Sequence, residues 1–297
     1  MKAIRALTRV DLKNILICTD FSQAAADAFP YAAEMARHFE ARLEVFHVRP
    51  RDLYSLVPPQ EWAEVSEAAD EAVREKAQKL LGPYPGIKHE VVIADDEIWT
   101  ALQSEIEKKN IDLIVIGTHG RTGIAKLVLG SVAEEIFRQA PCAVLTVGPF
   151  TPREPQREGE ISDILFATDF SPESMAAAPY AFSLAQEYQA RLTLLHVIER
   201  PQAGELVVST DLMPASERLL HNLVPPEAEL WCEPKCVVER GDSAEKILDV
   251  AERTRADLIV LGVRRPSGVA GAATHLPIAT AHKVVSRARC PVLTVRG

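Results

Sequence analysis

Apolar residues in this chain fall into short continuous blocks, and the blocks alternate with longer stretches in which every third or fourth residue is apolar. The blocks lie near Asn14–Cys18, Arg42–Val48, Lys88–Ala94, Asp112–Gly117 and Ala143–Val147, and the central ones are unbroken runs of Val, Ile and Leu. An unbroken run, as opposed to strict alternation, predicts a parallel strand covered on both faces. The stretches between them predict helices. The first opens at Ser22, a good N-cap, and carries a stripe of Ala25, Phe29, Ala32, Met35, Ala36 and Phe39. Pro30 lies inside it and predicts a kink. A second helix is expected to bury Trp62, Val65, Ala69, Val73, Ala77 and Leu80. Alternating strands and helices predict a doubly wound α/β domain with five mainly parallel strands. Its ligand crevice belongs at the carboxyl ends of the strands, near the switch in strand order. Asp20, Val48 and Gly117 all stand at such ends.

The pattern occurs twice. Thr19-Asp20-Phe21-Ser22 returns as Thr168-Asp169-Phe170-Ser171, 149 residues on. Pro30-Tyr31-Ala32, Ala41-Arg42-Leu43 and His47-Val48 return at the same offset as Pro179-Tyr180-Ala181, Ala190-Arg191-Leu192 and His196-Val197. Asp112-Leu113-Ile114-Val115 matches Asp257-Leu258-Ile259-Val260, and Val144–Val147 matches Val292–Val295. So long a period means two tandem domains and excludes a solenoid. We place them at 1–148 and 161–297. Residues 149–160, rich in Pro, Arg and Glu, form an extended linker. The closing strands Val144–Val147 and Val292–Val295 are short and apolar. Such edges invite uncontrolled pairing unless covered, which predicts that the two domains meet through them.

Composition narrows the function classes. With 42 acidic and 33 basic residues the formal charge is −9, which argues against a general nucleic-acid or acidic-membrane binder. No run approaches the roughly 18 apolar residues of a membrane span. The start, Met1-Lys2-Ala3-Ile4-Arg5, lacks the apolar core of a signal peptide, so a cytoplasmic location is expected. Of five cysteines, Cys142 and Cys290 are repeat equivalents entering the last strands and are expected to be buried and reduced. Cys232 and Cys236, with His221 nearby, suggest a metal site, but no second pair completes four ligands and no metal is expected.

The most specific signal follows the fourth strand. Gly117-Thr118-His119-Gly120 is followed by Gly130-Ser131 and then a helical pattern with Val132, Ala133, Ile136 and Phe137. Glycines let the backbone approach an anion, and N–H groups at a helix start point at it. The spacing Gly-x2-Gly-x9-Gly-Ser is neither the Walker loop nor Gly-x-Gly-x-x-Gly.

This combination closely resembles the universal stress protein family in its tandem form, over nearly the whole chain. The resemblance implies two adenine nucleotide alpha hydrolase-like domains, a stress-response role, and dimers built through the last strand. Members with this glycine pattern bind ATP, here with or without magnesium, and members lacking it often do not. Carried over by position, Thr19 and Asp20 follow the first strand, and Asp20 accepts hydrogen bonds from ribose or base. The Val48 backbone meets the adenine edge. Gly117 and Gly120 border ribose and phosphates, and Gly130, Ser131 and the Val132 N–H hold the phosphates. His119 and Arg121 complete the expected set. Each has a blander alternative: Arg121 and Lys126 as solvated loop charges, His119 as a surface histidine, Asp20 and Asp169 as starts of the next helix. His47 and His196 read as hydrogen-bonded structural residues, with catalysis the minor alternative.

The second copy departs from the pattern. Arg265 stands where the second glycine belongs. Aligned back from Cys290, Gly130-Ser131 fall on Ile278-Ala279. One nucleotide per chain, bound in the first domain, is therefore expected. The leading function is a nucleotide-dependent regulator and not an enzyme. A slow ATP hydrolase and a ligand-free partner-binding protein are the alternatives. The protein partner is not named by the sequence.

Overall fold

The continuous apolar blocks form parallel strands, as their two-sided burial requires. The computed structural model describes residues 9–49, 57–95, 97–118, 129–152, 161–199, 212–226, 228, 232–264 and 275–297, the side chains of 275–279 excepted. Two units emerge, one of residues 11–149 and one of residues 161–297 joined by Arg9, Val10 and 150–152. In the second unit the Val10 N–H donates to Ser183 Oγ at 2.9 Å, and Arg9 pairs with Glu187 at 2.8 Å.

The first unit runs β1 (Asn14–Cys18), α1 (Gln23–His38), β2 (Arg42–Val48), α2 (Trp62–Leu81), β3 (His89–Ala94), α3 (Ile98–Lys109), β4 (Leu113–Gly117), α4 (Ser131–Gln139) and β5 (Ala143–Val147). Its sheet order is β3-β2-β1-β4-β5, all parallel. The second runs β6 (Asp163–Ala167), α5 (Pro172–Glu187), β7 (Arg191–Ile198), α6 (Leu212–Leu223), β8 (Lys235–Arg240), α7 (Ser243–Thr254), β9 (Leu258–Val263), α8 (His275–Arg287) and β10 (Val292–Arg296). It repeats the order as β8-β7-β6-β9-β10. The doubly wound fold expected from the sequence is present in both.

The order reverses at β1/β4 and at β6/β9, so a crevice opens at the carboxyl ends of these strands. One carboxylate pins the opposite end in each copy. Asp112 Oδ2 accepts the Lys13 and Asn14 N–H groups at 2.8 and 2.9 Å. Asp257 Oδ2 accepts those of Ser162 and Asp163 at 2.9 and 3.0 Å. The repeated Asp-Leu-Ile-Val signal is therefore a strand plus its anchor.

Helix α1 buries Ala25, Phe29, Ala32, Met35 and Ala36 as predicted, with Ser22 as N-cap and Pro30 inside; Phe39 is its half-buried C-cap. Helix α2 differs from expectation. It buries Val73, Ala77 and Leu81, while Trp62 stays 46% exposed with its indole N–H donating to the Val57 carbonyl. Only the C-terminal half of α2 meets the core, so its apolar stripe is narrower than the sequence pattern. Cys290 is buried and its thiol is pushed up to about 12 by burial, whereas Cys142 is half-exposed.

Glu44 is the one charged-type side chain in the middle of β2 that the sheet covers. It is 2% exposed, and its Oε1 has no hydrogen-bond partner among the described residues. Burial, then the charges of Glu105 and Glu90, push its carboxyl up to about 7 against the opposing pull of Lys109 and Arg42. A raised carboxyl favours the protonated fold, so the contribution of Glu44 to stability is greatest below pH 4.5 and is lost as pH rises through about 7. The loss amounts to about 3 kcal/mol. Glu44→Gln should therefore raise stability at pH 8 and flatten the slope between pH 5 and 8. Urea unfolding at both pH values checks this; parallel shifts of wild type and variant would exclude Glu44 as the source.

Candidate functional site

The site grows from the end of β1. The Thr19 N–H donates to the Phe46 carbonyl at 2.9 Å, one step past β1. The chain then turns sharply. Thr19 Oγ1 accepts the Phe21 N–H at 3.0 Å, and Asp20 Oδ1 accepts the Ser22 N–H at 2.9 Å. These two side-chain turns hold Phe21 at φ 59°, a left-handed conformation that a bulky residue rarely adopts. Ser22 Oγ then caps α1. The second copy repeats the device, with Phe170 at φ 62° and Asp169 Oδ1 accepting the Ser171 N–H at 2.9 Å. Asp20 thus shapes the turn before α1, the blander of its two sequence readings, whatever else it binds.

His47 locks the same turn from β2. Its Nδ1–H donates to the Thr19 carbonyl at 2.7 Å, and its ring lies 5.0 Å from that of Phe21. His196 does the same to Thr168 at 2.8 Å, with Phe170 at 4.6 Å. Both histidines are hydrogen-bonded structural residues. By the alternation of a parallel ladder, Val48 directs its N–H and C=O to the same side as Phe46, beyond the end of β1. Its backbone therefore faces the crevice.

Beside it stands a group that the sequence did not reveal. Arg49 is largely buried, chelated by Asp95 and bonded to Asp70 at 2.9 Å and Ser66 Oγ at 2.6 Å. It fastens α2 to the ends of β2 and β3. Partners this far apart in sequence carry no local signal.

At the end of β4, Gly117 leads into buried Thr118. The Thr118 N–H donates to the Val147 carbonyl at 3.1 Å, and its carbonyl accepts the Gly130 N–H at 2.7 Å. This clamp seats the N-cap of α4 against the strand ends. Gly130 has φ −59° and ψ 151° and offers no side-chain cap. The first intrahelical bond is from Glu134 to the Gly130 carbonyl at 2.8 Å, so Ser131, Val132 and Ala133 present N–H groups without helical partners. Thr118 is the positioning residue that the motif reading overlooked. His119, Gly120, Arg121 and Lys126 lie outside the described residues.

The sequence pattern of the universal stress protein family matches residues 11–148 and again 160–296. The chain belongs to the universal stress protein family. A universal stress protein of Methanocaldococcus jannaschii is 31% identical over 149 residues, covering 49% of this chain and 85% of the relative. Among solved structures, a universal stress protein from Archaeoglobus fulgidus covers 95% of this chain and 98% of its own at 24% identity and TM-score 0.71. A functionally unknown protein from Pseudomonas aeruginosa covers 98% and 94% at 17% identity and TM-score 0.59. These two likenesses concern the fold. Among the described residues no helix is long and apolar enough to cross a membrane, and no group of three or more His, Cys, Asp or Glu is placed to hold a metal.

Within this universal stress protein fold the two copies diverge where the glycine motif ends. Helix α4 starts at Ser131, but α8 starts at His275, four residues before the equivalent Ala279. Residues 278 and 279 are thus inside a helix, and their N–H groups are engaged one turn back. The turn that presents N–H groups without helical partners in the first copy is extra helix in the second.

Gly262 is nevertheless retained, and packing explains it. A Cβ on Gly117 would lie 2.3 Å from the Ala24 carbonyl oxygen, and one on Gly262 would lie 2.3 Å from Glu173 O and Ser174 Cα. Both obstacles are backbone in the first turn of a helix. Gly117→Ala and Gly262→Ala should each destabilise their domain by about 3 kcal/mol, the upper range for overpacking. Urea unfolding measures this. An unchanged midpoint for Gly262→Ala would show that the helix start can retreat and that its glycine has another purpose.

Proposed function

We propose that the chain is an ATP-binding regulatory protein whose nucleotide sits in the first domain. The observation that carries this reading is the N-terminus of α4. Its three N–H groups without helical partners are seated by Thr118 at the strand end beside the switch point, an arrangement suited to phosphate. Two neighbours fit the remainder of a nucleotide. The Val48 backbone faces the crevice with an N–H and a C=O, the pair an adenine edge requires. Asp20, an acceptor, suits ribose hydroxyls and repels phosphate. The Gly130 N–H is already engaged by Thr118, so phosphate recognition rests on Ser131, Val132 and Ala133. ATP, alone or with Mg2+, would act as a ligand that biases conformation or partner choice. Turnover is absent or slow, the location is cytoplasmic, and the assembly is a homodimer.

The test is titration calorimetry with ATP on the full chain, with one site per chain expected. Asp20→Asn retains an oxygen for the Ser22 N–H but removes the charge, so the turn survives. It should weaken ATP at least tenfold, while Asp169→Asn leaves affinity unchanged. Gly130→Asp places a carboxylate at an N-cap. There it would cap α4 through the N–H groups that phosphate needs. We expect ATP binding to vanish while the melting temperature of the ligand-free protein is unchanged or slightly higher. Two equal sites, or wild-type affinity in Gly130→Asp, would overturn the assignment. Steady-state turnover on the order of ten per second would make the protein an enzyme instead.

A further inference from the structure

Val48 is supported by the sheet from one side. The β1 ladder ends where Cys18 faces Phe46, and the Thr19 N–H takes the Phe46 carbonyl. Val48 lies beyond that end, opposite Ala94 of β3. Its N–H and C=O face the crevice, and among the described residues no strand on that side sets their direction. Their direction is therefore set from β3 and from the residue that follows.

That residue is Arg49. Its backbone N–H donates to the Ala94 carbonyl at 2.9 Å. Its guanidinium is chelated by Asp95, the next residue of the β3 end. Arg49 is thus joined to β3 twice, once through the backbone and once through a planar fork. Helix α2 holds the other edge of the guanidinium, with Nη1 donating to Asp70 Oδ1 at 2.9 Å and to Ser66 Oγ at 2.6 Å. The side chain is 10% exposed. A planar group bound along two edges is fixed in orientation, and it fixes the strand end that carries it. Its charge is already matched by two carboxylates, so Arg49 is built as an anchor and not as a phosphate ligand.

The second copy lacks this anchor. At the 149-residue offset Arg49 becomes Ile198. Val197 faces Glu239 as Val48 faces Ala94, so Arg240 stands where the first copy has Asp95. Isoleucine beside arginine cannot form the fork. The same copy has turned the start of its last helix into extra helix. Two devices, one after β2 and one after β4, are thus present together in the first copy and altered together in the second.

We infer that Arg49 is a positioning residue for base recognition in the first domain: through Asp95, Asp70 and Ser66 it holds the Val48 N–H and C=O where an adenine edge requires them, and so sets the preference for adenine over guanine. This rests on the nucleotide reading of that domain. Adenine presents an amino donor beside a ring-nitrogen acceptor, which match a C=O and an N–H. Guanine presents an acceptor beside a donor, the reverse order. A site built for one pattern leaves polar groups unpaired with the other and rejects it. The discrimination holds only while the two backbone groups are fixed.

Titration calorimetry of the full chain with ATP and with GTP tests this. The wild type should prefer ATP by at least about tenfold, and Arg49→Met should weaken ATP by about tenfold while leaving GTP within about twofold, because small misplacements of a recognition group are costly. Asp95 is more than half exposed, so Asp95→Asn folds normally; it should weaken ATP by about threefold. The two changes act through one contact, so the double variant should be no weaker than Arg49→Met alone. Wild-type ATP affinity in Arg49→Met, equal weakening of ATP and GTP, or additive losses in the double variant would overturn this inference and leave the nucleotide site standing. Absence of ATP binding in the wild type would overturn the nucleotide reading and this inference with it.

Discussion

The ends of β4 and β9 leave no room for a side chain, and the arrangement of each domain follows from that restriction. The first turn of α1 presses its backbone onto Gly117, and the first turn of α5 onto Gly262. A helix seated so closely must be entered by a very tight turn from the neighbouring strand. Thr19 and Asp20 make that turn with their side chains, at the expense of a left-handed Phe21, and the second copy repeats every step. Strain at a non-glycine residue persists only where surrounding contacts over-determine it. Here His47 and His196 supply the extra contacts, each bonding a carbonyl of the turn and stacking on its phenylalanine.

Once this scaffold is in place, small changes in sequence redirect what the crevice offers. In the first domain the backbone of a single threonine joins β5 to the start of α4, whose first N–H groups have no helical partners. In the second, one additional helical turn engages the equivalent groups, and Glu173 and Glu199 stand where the first copy has Ala24 and Pro50. The backbone around β1 and β6 is the same in both. The two copies have diverged in the parts that contribute least to the core, where substitution is least constrained by packing.

Polar groups elsewhere divide in the same way. Asp112, Asp257 and Arg49 are ionic groups with fixed partners that join segments distant in sequence. Glu44 lies in the sheet with an unmatched oxygen and is compensated by a raised carboxyl. The first three strengthen the domain frame. Glu44 makes the first domain sensitive to pH, a sensitivity that its counterpart Thr193 does not share.

The alternation of blocks and stripes determined the strands, the start of α1 at Ser22, the duplication and the neighbourhood of the crevice. Each depends on contacts between residues a few positions apart, which periodicity records directly. The motif also identified Gly130 and Ser131 as a helix start, because N-cap chemistry is local. Other features depended on the tertiary structure. The need for glycine at 117 comes from α1, far away along the chain, and so it was read as ligand clearance. Thr118 becomes a clamp only when β5 is beside it. The half-exposed stripe of α2, the Arg49 network and the extra turn of α8 are likewise settled by which elements meet. Local pattern fixes the element and its buried face; the space left between elements is decided by packing, and that space determines what can bind.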